Sequence, residues 1–205
     1  MNIKLYIRPL AVATVTSILL SGCVGAVLGG AAVGGASAID RRTTGTQADD
    51  NLMEVRIKNT AMTYLRQNAT TTNGFEPTLS VVSYNRHILL LGQVATEGEK
   101  AFVEQVARSE SAAQEVYNYI TVTSQPRTFG NVSADTWNTS KVRTTLLGIQ
   151  GVIPSRVKIV TYDGTTYVMG ILTPAEQAAV TEKVSTTSGV QRVVTLYQTY
   201  TPRQP

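Results

Sequence analysis

Between residues 79 and 197 the apolar positions form one series of patterns that occurs twice. Leu79-Ser-Val-Val-Ser-Tyr84 has the period of a half-buried strand, and Asn85-Arg86-His87 reads as a turn. Ile88-Leu-Leu-Leu-Gly92 is a second strand. Thr96-Glu-Gly-Glu99 then carries the Thr-x-x-Glu spacing of a capping box and opens a helix that contains Val103. Val116-Tyr-Asn-Tyr-Ile120 closes the set as a third strand. The same order returns as Val157-Lys-Ile-Val-Thr-Tyr162, an Asp163-Gly164-Thr165 turn with the Asp-Gly hairpin signal, and Thr166-Tyr-Val-Met-Gly170. Thr173-Pro-Ala-Glu176, Val180 and Val193-Val-Thr-Leu-Tyr197 complete it. Tyr and Gly stand eight residues apart in both copies; the offset is 78 residues up to the Gly and 77 after it. An amphipathic helix precedes each copy. One begins at Asp50 with Leu52, Ile57, Ala61 and Leu65; the other begins at Asp135 with Trp137, Val142, Leu146 and Ile149. The pattern therefore predicts an α+β chain with two tandem αββαβ modules, each with two helices packed on a three-stranded mixed sheet.

What precedes the repeat has a different character. Residues 1–22 have the form of an export signal: Lys4 and Arg8, an apolar stretch from Leu10 to Leu20, then Leu20-Ser21-Gly22-Cys23. Such an apolar stretch is too short to span a bilayer comfortably. The single Cys excludes an internal disulfide and leaves three roles open: buried apolar residue, nucleophile or modification site. Its neighbours resemble the lipobox of bacterial lipoproteins, in which the Cys is acylated with chains such as palmitate and becomes the new N-terminus. An uncleaved membrane helix running on through Val24 to Ile39 is the alternative; the crowding of Gly between Gly25 and Gly35 disfavours it, at about 1 kcal/mol per Gly relative to Ala. The predicted organisation is a signal peptide over 1–22, a lipid-anchored Gly/Ala-rich tether over 23–46, a first module over 47–124 and a second over 125–202. The residue after the Cys is Val24 and not Asp, which by resemblance to lipoprotein sorting in Gram-negative cells favours the outer membrane.

Composition then removes function classes. The formal charge is +4, and losing Lys4 and Arg8 with the leader leaves +2, too little for the basic stripe that nucleic acid requires. No catalytic set assembles. The one His, His87, lies at a hairpin turn, and Asp49 and Asp50 stand where caps and helix-dipole partners belong. Gly29-Gly30 and Gly34-Gly35 do not follow a strand, as a phosphate-cradling loop would. No metal, cofactor or catalytic residue is expected.

One surface stands out. On the helix from about Asp135 to Ile149, Val142, Leu146 and Ile149 share a side and are expected to pack on Ile159 or Met169. Trp137, the only Trp, points nearly the other way, with Lys141, Thr144 and Gly148 beside it and Leu147 and Ser140 on a flank. Two readings stand: an interface with a membrane or partner, or a Trp folded back over the sheet or the first module. In the first module Leu52 takes the place of Trp137, with Arg56 and Lys58 nearby, so the first module is expected to contribute less to membrane contact.

The αββαβ unit with a central Gly, repeated behind a lipobox, resembles the BON domain over nearly all of residues 47–202. It is most similar to the dual-BON outer-membrane lipoproteins of the division- and outer-membrane-stress-associated lipid-binding type (the DolP, formerly YraP, group). The residues that carry the likeness are Gly45-Thr-Gln-Ala-Asp-Asp50, Glu115-Val-Tyr-Asn118 and Asp135-Thr-Trp-Asn-Thr-Ser-Lys-Val-Arg143. The resemblance implies a non-enzymatic, periplasm-facing protein. It would bind anionic phospholipid (phosphatidylglycerol or cardiolipin) through the first helix of its second domain, here Trp137, Lys141, Arg143, Thr144 and Leu147. It further implies enrichment at the division site and support of envelope integrity, with envelope or division proteins as possible partners. Scaffolding of other envelope proteins through the same helix or the sheet faces is the competing function. The turn at Asn85 and His87 departs from the family's Gly-containing form. Replacing Cys23 by Ser should abolish incorporation of a labelled fatty acid; labelling that survives the substitution would refute the lipobox.

Overall fold

The computed structural model describes residues 40–68 and 75–202. The expected leader, Cys23 and the tether as far as residue 39 lie outside them. Both modules belong to one compact unit, Ile39–Pro205. Helix α1 (Thr44–Asn68) leads into strands β1 (Thr78–Tyr84) and β2 (His87–Val94), helix α2 (Glu97–Arg108) and strand β3 (Glu115–Val122). The second module repeats the order with α3 (Phe129–Leu146), β4 (Val157–Tyr162), β5 (Thr165–Leu172), α4 (Pro174–Ser185) and β6 (Arg192–Thr199).

Each sheet is mixed. The hairpin strands β1 and β2 pair antiparallel, with Tyr84 opposite His87, and β3 pairs parallel to β2 after the crossover through α2. β4, β5 and β6 repeat this arrangement. Two-residue turns close both hairpins, and Asn85, Arg86, Asp163 and Gly164 all adopt positive φ. Both capping boxes form: Thr96 and Glu99 on α2, Thr173 and Glu176 on α4.

Burial explains the strand composition. Leu79, Val81, Ile88, Leu90, Val116 and Ile120 face the helices and pack with Met53, Ile57, Ala61, Leu65 and Val103. Val157, Ile159, Val168 and Leu172 do the same with Val142, Leu146, Val180 and Val184. The opposite faces of the two sheets bury each other: Val82, Tyr84, Leu89 and Leu91 form one apolar cluster with Tyr167, Met169 and Leu196. The layers therefore run helices, sheet, sheet, helices. β2 and β5 lie between apolar layers on both faces, which is why Ile88-Leu-Leu-Leu91 is apolar without alternation. Met169, expected beneath α3, belongs to this seam instead, because it is one residue out of phase with Val168.

Two expected helix starts are corrected. α1 begins at Thr44, inside the segment read as tether, and α3 begins at Phe129 behind its N-cap Thr128. Asp50 and Asp135 are thus not caps. Each is buried on its helix and accepts the backbone N–H groups of its module's hairpin turn: Asn85 at 2.8 Å and Arg86 at 2.7 Å for Asp50, Asp163 at 2.7 Å and Gly164 at 3.0 Å for Asp135. An Asp ahead of an apolar run has the look of a cap, but the first turns of these helices project past the core and carry no apolar period.

The central glycines are required by close approach. A Cβ at Gly92 would lie 2.1 Å from the Thr78 carbonyl oxygen, and one at Gly170 would lie 2.8 Å from that of Arg156. Gly92→Ala is expected to cost about 3 kcal/mol, and Gly170→Ala less, as read from urea unfolding midpoints. Equal and negligible shifts would contradict the packing at this strand pair.

Candidate functional site

With the sheets sealed against each other, both helix layers face outward. Val142 and Leu146 turn inward from α3, and Ile149 is partly buried beside them. The other side of α3 leaves large apolar groups in water: Phe129 is 87% exposed, Trp137 67% and Leu147 72%, with Val132 also exposed. At about 100° per residue, Phe129 and Leu147 fall on one line and Trp137 lies within a quarter turn of it, with Ser133, Ser140 and Thr144 between. Phe129 and Val132 did not stand out in the sequence because they precede Asp135, the expected helix start. The Thr128-Phe-Gly-Asn131 capping sequence was the available signal.

Three hydroxyls on this side of the helix are already bonded within it. The hydroxyls of Thr136, Ser140 and Thr144 each donate to the carbonyl one turn back, on Val132, Thr136 and Ser140, at 2.9 to 3.0 Å. A hydroxyl bonded in this way loses little when water is withdrawn. Lys141 Nζ donates to the Ser188 carbonyl at 2.7 Å, and an Arg143 guanidinium nitrogen donates to the Ile159 carbonyl at 3.1 Å. Among the described residues neither cation is in an ion pair, so both charges remain uncompensated. The structure thus brings Trp137, Lys141, Arg143, Thr144 and Leu147 onto one helix, with Arg143 leaning towards β4. On α1, Leu52 is 54% exposed and Val55 joins it, but Arg56 is neutralised by Glu110 at 2.8 Å.

A second feature had no signature in the periodicity. Residues Asp40 to Arg42 tie the modules together. Arg41 forms two bonds with Glu176, at 2.6 and 3.0 Å, donates to the Ile171 carbonyl and stacks over Tyr200, all in the second module. Its neighbour Arg42 pairs with Asp40 and Asp50 and covers the Tyr84 ring, in the first. Arg127 repeats the role of Arg42: it pairs with Asp135 and lies 4.0 Å from the centre of the Tyr162 ring. Burial pushes the Tyr84 hydroxyl up to about 12, with Asp40 adding to the shift and Arg42 opposing it; the neutral phenol donates to the Arg156 carbonyl at 2.9 Å. His87 opens β2, with a ring nitrogen 3.3 Å from the Tyr117 hydroxyl; burial lowers its pKa, against the pull of Glu115 and Asp50.

Burial disfavours the charge on Glu176, yet the bonds from Arg41 and Thr173 outweigh it and hold the carboxyl below its ordinary pKa. A carboxylate depressed on folding stabilises above its unfolded pKa, and that stabilisation is lost as pH falls through the folded value. Stability at about pH 7 relative to about pH 3.5 should therefore fall less in Glu176→Gln, which keeps the capping geometry, than in the parent chain. Parallel losses in urea titrations would show that Arg41 and Glu176 are not coupled.

No helix among the described residues is long and apolar enough to cross a membrane. The BON domain model matches residues 73–124 and 134–197, one in each module. The chain is 33% identical over 192 residues to the outer membrane lipoprotein DolP of Haemophilus influenzae, covering 94% of this chain and 96% of that one. It is 31% identical to a 21 kDa hemolysin of Actinobacillus pleuropneumoniae, covering 76% and 77% of the two chains. Among solved structures, the C-terminal domain of CdsD, a type III secretion protein of Chlamydia trachomatis, aligns over 70% of this chain and 96% of its own with a TM-score of 0.30 and 10% identity, too distant to carry an argument. Paired modules, the central glycine in each and full-length similarity agree: the chain belongs to the BON-domain family, as a dual-BON outer-membrane lipoprotein of the DolP type.

Proposed function

We propose that this lipoprotein faces the periplasm and reads anionic phospholipid, phosphatidylglycerol or cardiolipin, through the outward face of α3. The observation that carries the reading is the joint exposure of Phe129, Trp137 and Leu147 on a helix face with no acidic group and with the hydroxyls of Thr136, Ser140 and Thr144 bonded internally. Full transfer of such side chains out of water is worth about 2 kcal/mol each. Lys141 and Arg143 would each add roughly 1 kcal/mol near an anionic surface. These terms are modest, but a chain already held at a membrane through acylated Cys23 meets lipid at high local concentration. Choosing among lipid patches needs no more than this, and enrichment at the division site and support of envelope integrity follow as the cellular expression of that choice.

The scaffold reading narrows. Most of the apolar surface between the two sheets is buried in their mutual contact, which favours the helix over the sheet faces as the surface that would engage an envelope protein.

Chain carrying Cys23→Ser should pellet with phosphatidylglycerol vesicles and not with zwitterionic ones, with a blue shift in the fluorescence of its single Trp. Trp137→Glu should remove the binding, Phe129→Glu and Leu147→Glu should weaken it several-fold, and Leu52→Glu should weaken it least. Unaltered binding by Trp137→Glu would refute the reading, and absence of vesicle binding by the parent chain would favour the scaffold.

A further inference from the structure

The two ends of the seam between the sheets are built from equivalent residues but finish differently. At one end Gln198, near the close of β6, reaches the first hairpin turn: its Oε1 accepts from Asn85 Nδ2 at 2.6 Å, and its Nε2 donates to the Tyr84 carbonyl at 3.4 Å. At the other end the repeat places Thr121 of β3 where Gln198 stands and Asp163 where Asn85 stands. Among the described residues no hydrogen bond joins this second pair, and a recess of about 490 Å³ opens beside it. Tyr119, Tyr162 and Tyr167 line the recess; Tyr119 is 40% exposed and meets the Tyr167 ring edge-on, with centroids 5.0 Å apart. Gln191 and Arg192, where β6 begins, complete the rim with Asp163. A Cβ on Gly164 would lie 2.7 Å from Gln191 Oε1, so the glycine of the turn gives the Gln191 amide its place. An acid and a base thus line one recess without pairing. Among the described residues the side chains of Asp163, Gln191 and Arg192 and the hydroxyls of Tyr119 and Tyr167 have no hydrogen-bond or ion-pair partner. Burial, with Tyr119 adding and Arg192 opposing, pushes the Tyr167 hydroxyl up to about 12, so it stays a neutral donor.

From this arrangement we infer that the open end of the seam binds a neutral sugar. Sugar hydroxyls both donate and accept, so one ring meets the acceptor-only Asp163, the donor-only Arg192 and the Gln191 amide at once. Its C–H faces pack on phenol rings, whose faces carry negative charge density. An anion would be repelled by Asp163 and a cation by Arg192. A short zwitterionic peptide would satisfy both charges but leave the rings and the amide unused. The volume falls within the range of about 300–1,000 Å³ usual for small-ligand sites. No residue of α3 lines the recess, and the inference does not rest on the phospholipid reading. Acetamido sugars and plain hexoses share this chemistry, and the test separates them.

The test uses the chain from residue 23 onward with Cys23→Ser, in solution without vesicles. Diacetylchitobiose, maltose and the dipeptide alanyl-alanine are titrated separately, and the backbone amide resonances of Tyr119, Asp163 and Arg192 are followed. Saturable shifts are expected with a sugar. Tyr119→Leu and Asp163→Asn, the latter suited to the positive φ of the turn, should each weaken the affinity about tenfold. Thr121→Gln combined with Asp163→Asn transplants the closing pair of the other end and should abolish the shifts. Shifts with diacetylchitobiose alone assign an acetamido glycan, and shifts with maltose assign a hexose glycan; either supports the site. No saturable shift with either sugar, shifts with the dipeptide alone, or sugar binding indifferent to Asp163→Asn would overturn it. If Tyr119→Leu fails to fold, Asp163→Asn and the double substitution decide. Leu147→Glu should leave sugar affinity unchanged, so this inference and the vesicle reading fail separately.

Discussion

Apolar contact between the two sheets is the constraint from which the arrangement follows. Val82, Leu89 and Leu91 meet Tyr167, Met169 and Leu196 across the seam, and burying that surface leaves neither sheet a free face. A lone αββαβ module would leave one side of its sheet in water, where Leu89, Leu91 and Met169 would be costly. Pairing two copies removes that cost and sends all four helices to the outside. The exposure of α3 is therefore a consequence of how the sheets pack as much as of the composition of α3.

Polar contacts then fix details that apolar burial leaves loose. In each module an Arg, a buried Asp and the Tyr that ends the first strand form a set: Arg42, Asp50 and Tyr84, then Arg127, Asp135 and Tyr162. The Asp holds the hairpin turn by its backbone N–H groups, and the Arg offsets the buried charge while lying over the ring. Arg41 extends the set across the seam to Glu176. The chain entering the first module is thereby fastened to the second.

The outward face of α3 shows how a helix can be both soluble and suited to an interface. Its hydroxyl ladder removes the penalty of drying Thr136, Ser140 and Thr144, its two cations are bonded to carbonyls without losing charge, and its large apolar groups are separated by these small ones. The equivalent face of α1 has Leu52 and Val55 but spends Arg56 on Glu110.

The sequence by itself determined the module, its repetition, both capping boxes and both hairpin turns, because these rest on residues close in the chain: Thr96 with Glu99, Thr173 with Glu176, Asp163 with Gly164. It also placed Trp137 opposite Val142 and Leu146, since helical period is a local property. The unbroken apolar run Ile88 to Leu91 held the sign of a strand buried on both faces, without naming what covers it. Only the tertiary structure decided the rest. The roles of Asp50 and Asp135, the seam that captures Met169 and the clasp from Arg41 to Glu176 all join residues far apart in the chain. Such contacts form because two sheets exclude water from the same space, and no periodicity within one segment encodes its distant partner.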